Sequence, residues 1–271
     1  MESKDRVGRK VWISRSPKKL IEIISILSMM KNCSPTTLGD TLQYRSDIPV
    51  ELIGSIGTDE MVCKAARVST LGSESIDTGE SAALINFLMK NRHGTPFEHN
   101  AFIFRVEAPI FVWREHMRHR IASYNEESGR YKQLDPVFYV PDSNRPLVQI
   151  GKTGAYDFID GTHSQHFNAN LLIGESSRLA YKNYEEMLDR GIAKEVARMC
   201  LPVNIYSSAY VTMNARALMN FLSLRTKSVD SAYPSFPQHE IAMVADQYEQ
   251  YLAAAMPLTY KSFVDCGRVA P

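Results

Sequence analysis

The order in which helix-type and strand-type patterns follow one another limits the fold of this chain more than any other feature. Apolar residues recur at helical spacing over most of the chain, in the segments 17–31, 59–70, 80–92, 109–120, 164–190, 193–200, 214–225 and 238–254. Alternation typical of strands is confined to the short segments 99–106, 136–140 and 205–213. Because the order is not a repeating strand–helix–strand, it does not predict a parallel sheet. We predict an α+β fold in which several helices pack around a small, mainly antiparallel sheet within a single domain.

Length and charge exclude several classes of protein. With 271 residues the chain is long enough to bury a core without disulfides. Its 31 Lys and Arg residues are balanced by 30 Asp and Glu residues, which leaves a net charge of +1. A general nucleic-acid or anionic-membrane binder needs a broad basic excess, so we expect neither nucleic acid nor a membrane as a partner.

The cysteines and the apolar runs indicate where the protein works. Four cysteines are scattered along the chain without a CxxC pair, which is typical of reduced thiols. No apolar run approaches the ~18 residues of a membrane span, and the N-terminus lacks the apolar core of a secretion signal. We therefore expect a cytoplasmic protein.

The domain prediction covers residues 1–271 and contains two segments that stand apart. Residues 1–57 form an N-terminal segment of uncertain role, with a helix beginning at Ser16 and Pro17 and a connection over 34–57. Residues 141–163 are rich in Pro, Gly and Asp, and we predict an exposed excursion there. The long helix that follows is expected to stop at Gly191.

The densest polar cluster is RHRIASYNEESGRY, residues 118–131, which begins at the end of the predicted helix; we predict a loop over residues 121–134. Its arginines Arg118, Arg120 and Arg130 have the fork geometry that suits phosphate oxygens. Arg114 lies four residues before Arg118, which predicts a shared helical face. A solvated basic turn is the alternative, but two glutamates and the aromatic residues within the run favour a site for a phosphorylated ligand.

A second cluster, HGTPFEH, covers residues 93–99 and has the composition of a helix-to-strand turn. With His116 and His119, its histidines and Glu98 could be assembled into a metal site. The spacing does not match HExxH, which places two imidazoles on one helical face. We therefore predict no metal, and histidines that are satisfied in the fold or stack on a ligand.

A third cluster, NARALMNFLSLR, is a predicted helix that offers polar groups to two places. Arg216 and Asn220 are four residues apart and share one face, whereas Arg225 lies about half a turn away. A surface salt bridge by Arg216 and a turn-stabilising role for Asn220 are the alternatives. Arg198, in AKEVARMCLPVN, carries no signal by itself.

Together these segments resemble a known family. RHRIASYNEESGRY fits the pattern RHRxxSxNxxSxR of flavin-dependent thymidylate synthases, a long and specific signature. The resemblance extends to HGTPFEH, APIFVWREHMRHR, EVARMCLPVN and NARALMNFLSLR, and so covers roughly residues 59–255.

The resemblance implies a reaction and its partners. Such enzymes make dTMP from dUMP, taking a methylene group from methylenetetrahydrofolate and reducing equivalents from NADPH through FAD. The family builds its sites between the subunits of a homotetramer, and the two polar directions of the 214–225 helix suit that arrangement.

The resemblance also implies roles for single residues. Those expected at FAD are His93, Thr95, Arg118, His119, Arg120, Glu126, Asn214, Ala215, Arg216 and Asn220, with His93 near the flavin ring and folate. Those expected at dUMP are Glu115, His116, Met117, Arg118, Glu126, Glu127, Ser128, Gly129, Arg130, Arg198 and Arg225. Arg225 would lie against the uracil as the catalytic residue and favour ionisation at N3.

Two features bear on this assignment. A thymidylate synthase of the thiolate type attacks C6 of the uracil with a cysteine, yet Cys33, Cys63, Cys200 and Cys266 all lie outside the polar clusters. Ser128 lacks a strong adjacent base, so we assign it to dUMP binding. The segment 226–240 is longer than is usual in the family; it either reshapes the pyrimidine pocket or extends a surface loop, and we favour the loop.

Two hypotheses from other classes stay open at this point. One is a metal-dependent nucleotide phosphohydrolase that uses His93, Glu98, His99 and His116, which would be colourless. The other is an RNA-binding module built on residues 114–132, whose binding would depend strongly on salt. A yellow protein whose flavin spectrum is bleached by NADPH would decide among the three.

Overall fold

A computed structural model describes residues 42–72 and 81–271, together with two short antiparallel strands, β1 (Ser3–Lys4) and β2 (Lys10–Val11). Residues 42–271 form one compact unit. The helix predicted after Ser16 lies outside the described residues, and a single domain over 1–271 stays a prediction. In the part of the chain that the structure describes, no helix is both long and apolar enough to cross a membrane.

A four-stranded antiparallel sheet lies at the centre of this unit. Its strand order is β4 (Val50–Ile56), β5 (Ala101–Pro109), β10 (Tyr206–Met213) and β6 (Ser123–Glu126). The two inner strands alternate, and one face of β5 buries Phe102 and other apolar side chains completely. This arrangement confirms the predicted α+β class and the mainly antiparallel sheet.

Six of the described helices contribute to the main core with the sheet: α1 (Asp59–Leu71), α2 (Ser81–Lys90), α3 (Ile110–His116), α6 (Ala215–Arg225), α7 (His239–Ala255) and α8 (Pro257–Asp265). Their apolar faces bury aromatic side chains, among which the rings of Phe104 on β5 and Tyr248 on α7 lie 4.3 Å apart. The core therefore fixes α6 against the sheet.

A smaller cluster surrounds the long helix α4 (His163–Asp189), which packs near α5 (Lys194–Ala197) and the parallel pair β3 (Gln43–Arg45) and β7 (Val137–Tyr139). Thr162 and Gln165 form a capping box at the start of α4. The chain leaves the helix at Gly191 with φ +77°, which confirms the predicted stop.

Two loop predictions are wrong at the edges of the sheets. Residues 34–57 were expected to be a connection, yet they contain β3 and β4; residues 121–134 were expected to be a loop, yet they begin with β6. β4 and β6 are the outer strands of the central sheet, so they bury less and alternate weakly. A bulge between Leu52 and Gly54 further interrupts the alternation in β4.

Three other elements differ from the prediction. The excursion 141–163 contains a hairpin of β8 (Val148–Lys152) and β9 (Ala155–Ile159). The helix α8 was not predicted, because Pro257 interrupts the pattern that precedes it. Helix α3 (Ile110–His116) is shorter than the predicted 109–120. Arg118 therefore lies outside the helix, and the predicted shared face with Arg114 is wrong.

Candidate active site

Arg225, the last residue of α6, is held by the segment that follows α3. Its Nε donates to His119 Nε2 (3.0 Å), Nη1 to Glu115 Oε2 (2.7 Å) and Nη2 to the Glu115 carbonyl (3.3 Å). Only 16% of the Arg225 side chain is exposed. A guanidinium has five N–H donors, so two stay available, one on each terminal nitrogen. The group is fixed in place yet able to donate twice to a ligand.

His119 is neutral in this arrangement. Burial, followed by the positive charge of Arg225, lowers the pKa of His119 to about 4. Because Nε2 accepts from Arg225, the ring proton lies on Nδ1. The imidazole packs against Phe221 on α6, with ring centroids 4.5 Å apart. His119 therefore orients Arg225 without competing with it for a negative charge.

His116 lies beneath this group and is completely buried. Its Nδ1 lies 3.2 Å from the Tyr124 hydroxyl and its Nε2 lies 2.9 Å from the Tyr248 hydroxyl. Burial, followed by repulsion from His119, lowers the pKa of His116 to about 3. Its imidazole is not accessible to a ligand, so any contact of this residue with dUMP would have to come through its backbone.

The end of α6 is also tied to the C-terminal segment. Thr226, which follows Arg225, accepts from Nη2 of the buried Arg268 (2.9 Å), and Arg268 also forms an ion pair with Glu249 (2.7 Å). The Arg268 carbonyl accepts from the Ser223 hydroxyl (2.5 Å). Sequence reasoning missed Arg268, because nothing near the C-terminus of the sequence marks it.

Arg225 lines a cleft of about 560 Å³. Its other walls include Asn220 on α6, Gly154 at the tip of the β8–β9 hairpin, and the segment from Tyr233 to Phe236. An ion pair between Lys227 and Asp157 (2.9 Å) joins the start of the segment 226–240 to the hairpin. Parts of the partly exposed segment 226–240 and of the excursion therefore line the cleft, and whether they reshape a pyrimidine pocket stays a prediction.

A second cleft, of about 320 Å³, shares Asn220 with the first. It is lined by the turn from Arg118 to Ala122 and by Met213 and Ala217. Arg118 and Arg120 are exposed, and their guanidinium groups form no hydrogen bond or ion pair with the described residues. These cations are available to an anionic ligand.

Arg216 lies on the same face of α6 as Asn220, as predicted, and Asn220 Nδ2 donates to the Arg216 carbonyl (3.1 Å). Arg216 itself donates to Glu98 (2.6 Å) and to the Pro271 carbonyl (2.6 Å). A Cβ at position 94 would come within 2.5 Å of Arg216 Nε, so Gly94 is required for this packing. The surface salt bridge left open by the sequence is formed.

The start of α6 brings Asn214 and Ala215 next to the turn that carries His93 and Thr95. The Asn214 side chain caps the helix by accepting from Ala217 N (2.8 Å). The buried Ala215 donates its N–H to Asn100 Oδ1 (2.6 Å). His93 and Thr95 are exposed, and the His93 ring lies edge-on to Phe87 with centroids 5.7 Å apart.

The end of β6 and the loop that follows it are held by β10. Glu126 accepts from the Ser207 hydroxyl (2.6 Å), and Glu127 accepts from the Ser208 N–H (3.0 Å). Glu127 also forms an ion pair with Lys132 (2.9 Å). Since both carboxylates have other partners, neither is placed to activate Ser128 as a base.

Arg198 lies beside this loop. Its Cδ would be 3.3 Å from a Cβ built on Gly129, so the glycine allows the arginine to lie close to the backbone. Arg130 forms an ion pair with Glu195 (3.1 Å), whereas the exposed Arg198 guanidinium has no hydrogen bond or ion pair to the described residues. We call the loop 126–130 together with Arg198 the second basic group; it is separate from the residues around Arg225.

The predicted dUMP residues therefore fall into two groups within one chain. The first contains Arg225, which lines the cleft at the end of α6, together with its partner Glu115 and the exposed Met117 that follows Glu115 in the chain. The second consists of the loop 126–130 and Arg198. Among the described residues, no hydrogen bond or ion pair links the two groups.

Among Cys63, Cys200 and Cys266, none has the environment of a nucleophile. Cys63 is buried, and Cys200 donates to the carbonyls of Ala180 and Ala197. Burial raises the pKa of Cys200, so its thiol stays protonated although it lies two residues from Arg198.

The hypothesis of a metal-dependent phosphohydrolase finds no support in the geometry. Within residues 42–72 and 81–271, no three His, Cys, Asp or Glu side chains are grouped closely enough to hold a metal ion. Glu98 is paired with Arg216, and both ring nitrogens of His116 are engaged by tyrosines.

Comparisons with known proteins identify the family. The family model "Thymidylate synthase complementing protein" matches residues 51–258. The flavin-dependent thymidylate synthase of Streptomyces coelicolor is 53% identical over 236 residues, which cover 85% of this chain and 96% of that protein. The enzyme of the same name from Tropheryma whipplei is 55% identical over 235 residues, which cover 84% and 97%.

Solved structures with a similar fold are also known. The UMP/dUMP methylase PolB from Streptomyces cacaoi, bound with 5-Br UMP, superposes with a TM-score of 0.81 at 50% identity. The match covers 85% of this chain and 99% of the methylase. By its family model, its relatives and its fold, the chain belongs to the flavin-dependent thymidylate synthases.

Proposed function

We propose that this protein converts dUMP to dTMP, with methylenetetrahydrofolate as the carbon donor and NADPH as the reductant acting through FAD. The single observation that carries the proposal is the environment of Arg225. A partly buried guanidinium is fixed by Glu115 and His119, keeps two donors, and lies in a cleft that adjoins a second cleft with unpaired arginines.

The residues around the second cleft fit FAD. A dinucleotide has two phosphates, and Arg118 and Arg120 offer unpaired guanidinium groups beside Asn220. His93, Thr95 and the capped start of α6 would lie along the rest of the cofactor. When bound, FAD supplies the redox chemistry, and the protein orients it against the substrate.

The role of Arg225 follows from electrostatics. Its two remaining N–H groups can donate to N3 and O2 of a uracil, where they would stabilise negative charge and favour ionisation at N3. Glu115 and His119 hold the guanidinium before substrate arrives, so little reorganisation is needed during the reaction. Since neither the described cysteines nor Ser128 is placed to attack the ring, activation of the uracil is assigned to Arg225 and not to an enzyme nucleophile.

The phosphate of dUMP would be bound by the second basic group. Arg198 and Arg130 supply charge, the Ser128 hydroxyl a hydrogen bond, and Gly129 a close approach of the backbone. We propose that this group on one subunit completes the site at Arg225 of another, in a homotetramer. That arrangement would explain why no hydrogen bond or ion pair joins the two groups among the described residues of one chain.

The test is a spectrum followed by an assay. We expect purified protein to be yellow and its flavin absorbance to be bleached by NADPH. With dUMP and methylenetetrahydrofolate present, dTMP should form. UMP should be assayed in parallel, because the similar PolB is a UMP/dUMP methylase. A colourless protein that cannot be loaded with FAD, or a flavoprotein that methylates neither nucleotide, would contradict the proposal.

A further inference from the structure

A cavity of about 580 Å³ lies between α4, the β8–β9 hairpin and the start of α7. This volume falls in the range of small-molecule sites. None of the residues that line it lines either cleft at the end of α6. A ligand in this cavity would therefore bind apart from the proposed active site.

The walls of this cavity are mainly apolar. Aromatic rings come from Phe111 and Phe158, and aliphatic side chains from Leu147, Leu172 and Val203. These residues belong to α3, the hairpin and the residue that precedes it, α4 and the turn before β10, so several elements converge on one space. Such a lining favours a flat, apolar ligand over a phosphorylated or strongly charged one.

One buried carboxylate at this cavity is only half satisfied. Glu240, in the first turn of α7, is 3% exposed. Its Oε1 accepts from the Tyr139 hydroxyl (2.9 Å) and from Arg145 Nε (3.0 Å). Its Oε2 is buried and has no hydrogen-bond partner among the described residues. A buried oxygen without a donor is costly, which points to a donor from outside the chain.

The missing group is a neutral donor and not a cation. Arg145 already balances the charge of Glu240, and it is held over the Phe158 ring with its Cζ 4.9 Å from the centroid. Burial raises the pKa of Tyr139, so its hydroxyl stays protonated and donates. The pair is neutral as a whole, and the vacant hydrogen-bonding capacity is that of one acceptor oxygen.

We propose that this cavity is a binding site for a neutral aromatic molecule that carries one N–H or O–H donor. The aromatic part packs between Phe111, Phe158 and Leu172, and a small rotation of the Glu240 carboxylate turns the buried Oε2 towards the cavity, where it accepts from the donor. The ligand leaves the Arg145–Glu240 pair intact.

A matched pair of probes tests the donor. Indole and 1-benzothiophene have nearly the same size and shape, but only indole has an N–H. Titration of the flavin-loaded protein, followed by calorimetry and ligand-observed NMR, should show one indole per chain, bound at least about tenfold more tightly than benzothiophene. Equal affinity for the two probes, or binding of neither, would overturn the proposal, because then water or nothing fills the cavity.

Glu240→Gln tests the acceptor. Arg145 Nε and the Tyr139 hydroxyl both donate to the Oε1 position, so they keep the amide oxygen there and place the amide N–H₂ where Oε2 was. We expect the preference for indole to disappear. An unchanged preference in a variant with normal thermal unfolding would show that the donor bonds elsewhere, which would overturn the assignment.

A second pair of variants locates the probe. Leu172→Trp adds bulk at the exposed rim of the cavity, whereas Leu171→Trp makes the same change on the neighbouring side chain, which faces a different pocket. Indole binding should be lost in the first variant and kept in the second. Binding that survives in Leu172→Trp, for instance at the flavin site, would overturn the proposal.

Discussion

Arg225 and the arginines proposed to bind phosphate groups differ in their burial and in their partners within the chain. Arg225 is 16% exposed and makes three hydrogen bonds within the protein. Arg198 is exposed and, like Arg118 and Arg120 at the neighbouring cleft, has no partner for its guanidinium among the described residues. Arg225 is therefore oriented before a ligand binds, whereas the exposed arginines have guanidinium groups that are available to an anionic ligand.

This contrast fits the two kinds of work proposed for them. Charge that develops on a ring during a reaction is best stabilised by a group that does not have to move. A phosphate keeps its charge throughout, so flexible exposed arginines can bind it as well. Substitutions of Arg225 and of the exposed arginines test whether the first acts on the reaction rate and the others act on phosphate binding.

Removing the held arginine should have the largest effect. Arg225→Ala takes away the donors proposed for the uracil, so dTMP synthesis should fall by about 1,000-fold while bound flavin is retained. Steady-state assays and the flavin spectrum measure both. Arg114→Ala, an exposed arginine on α3 without a described partner, is the control and should keep its rate. A near-normal rate in Arg225→Ala would refute its catalytic role.

The two histidines near Arg225 should also make the free energy of unfolding fall at acid pH. His116 and His119 have pKa values lowered to about 3 and about 4, so the unfolded chain takes up protons first as pH falls below about 6.5. Their contribution is complete above that pH and is lost on acidification. Burial of His116 alone predicts a loss on the order of 3 kcal/mol by pH 4.

Urea unfolding between pH 7.5 and 4 measures this effect. His116→Gln cannot titrate in this range, so it should flatten the pH dependence relative to the wild type. If the two proteins lose stability in parallel, the imidazoles of the Arg225 group are not the cause.

Removing Arg198, whose guanidinium has no partner among the described residues, should weaken the binding of dUMP. Arg198→Ala should raise KM for dUMP by roughly tenfold and change kcat much less, because the phosphate charge is the same in substrate and transition state. Arg190→Ala, at the exposed end of α4, serves as the control. A fall in kcat with an unchanged KM would place Arg198 at the reacting ring and break the proposed division.

The smallest change is expected at Ser128. Its hydroxyl is assigned to binding, and the neighbouring glutamates are engaged by Ser207, Ser208 and Lys132. Ser128→Ala should therefore keep measurable turnover, within about fivefold of the wild type. Complete loss of activity with intact nucleotide binding would instead make Ser128 a nucleophile.

Patterns that depend on local periodicity were predicted well from the sequence. The two inner strands and α4 bury regular faces, and Gly191 ends α4 as expected. The outer strands β4 and β6 were missed, because they are strands only by pairing with a neighbour. Likewise, the signature 118–131 identified the family, but it could not show that Arg118 leaves the helix.

The sequence by itself determined the class of the fold and the family, because apolar spacing and a long motif are local properties of the chain. Only the tertiary structure decided which arginines are held and which are free. Arg225 meets Glu115 across 110 positions of sequence, and Glu240 meets Tyr139 across 101. Such pairings depend on how α6 and α7 pack against the sheet, and no local pattern encodes the partner of a charge.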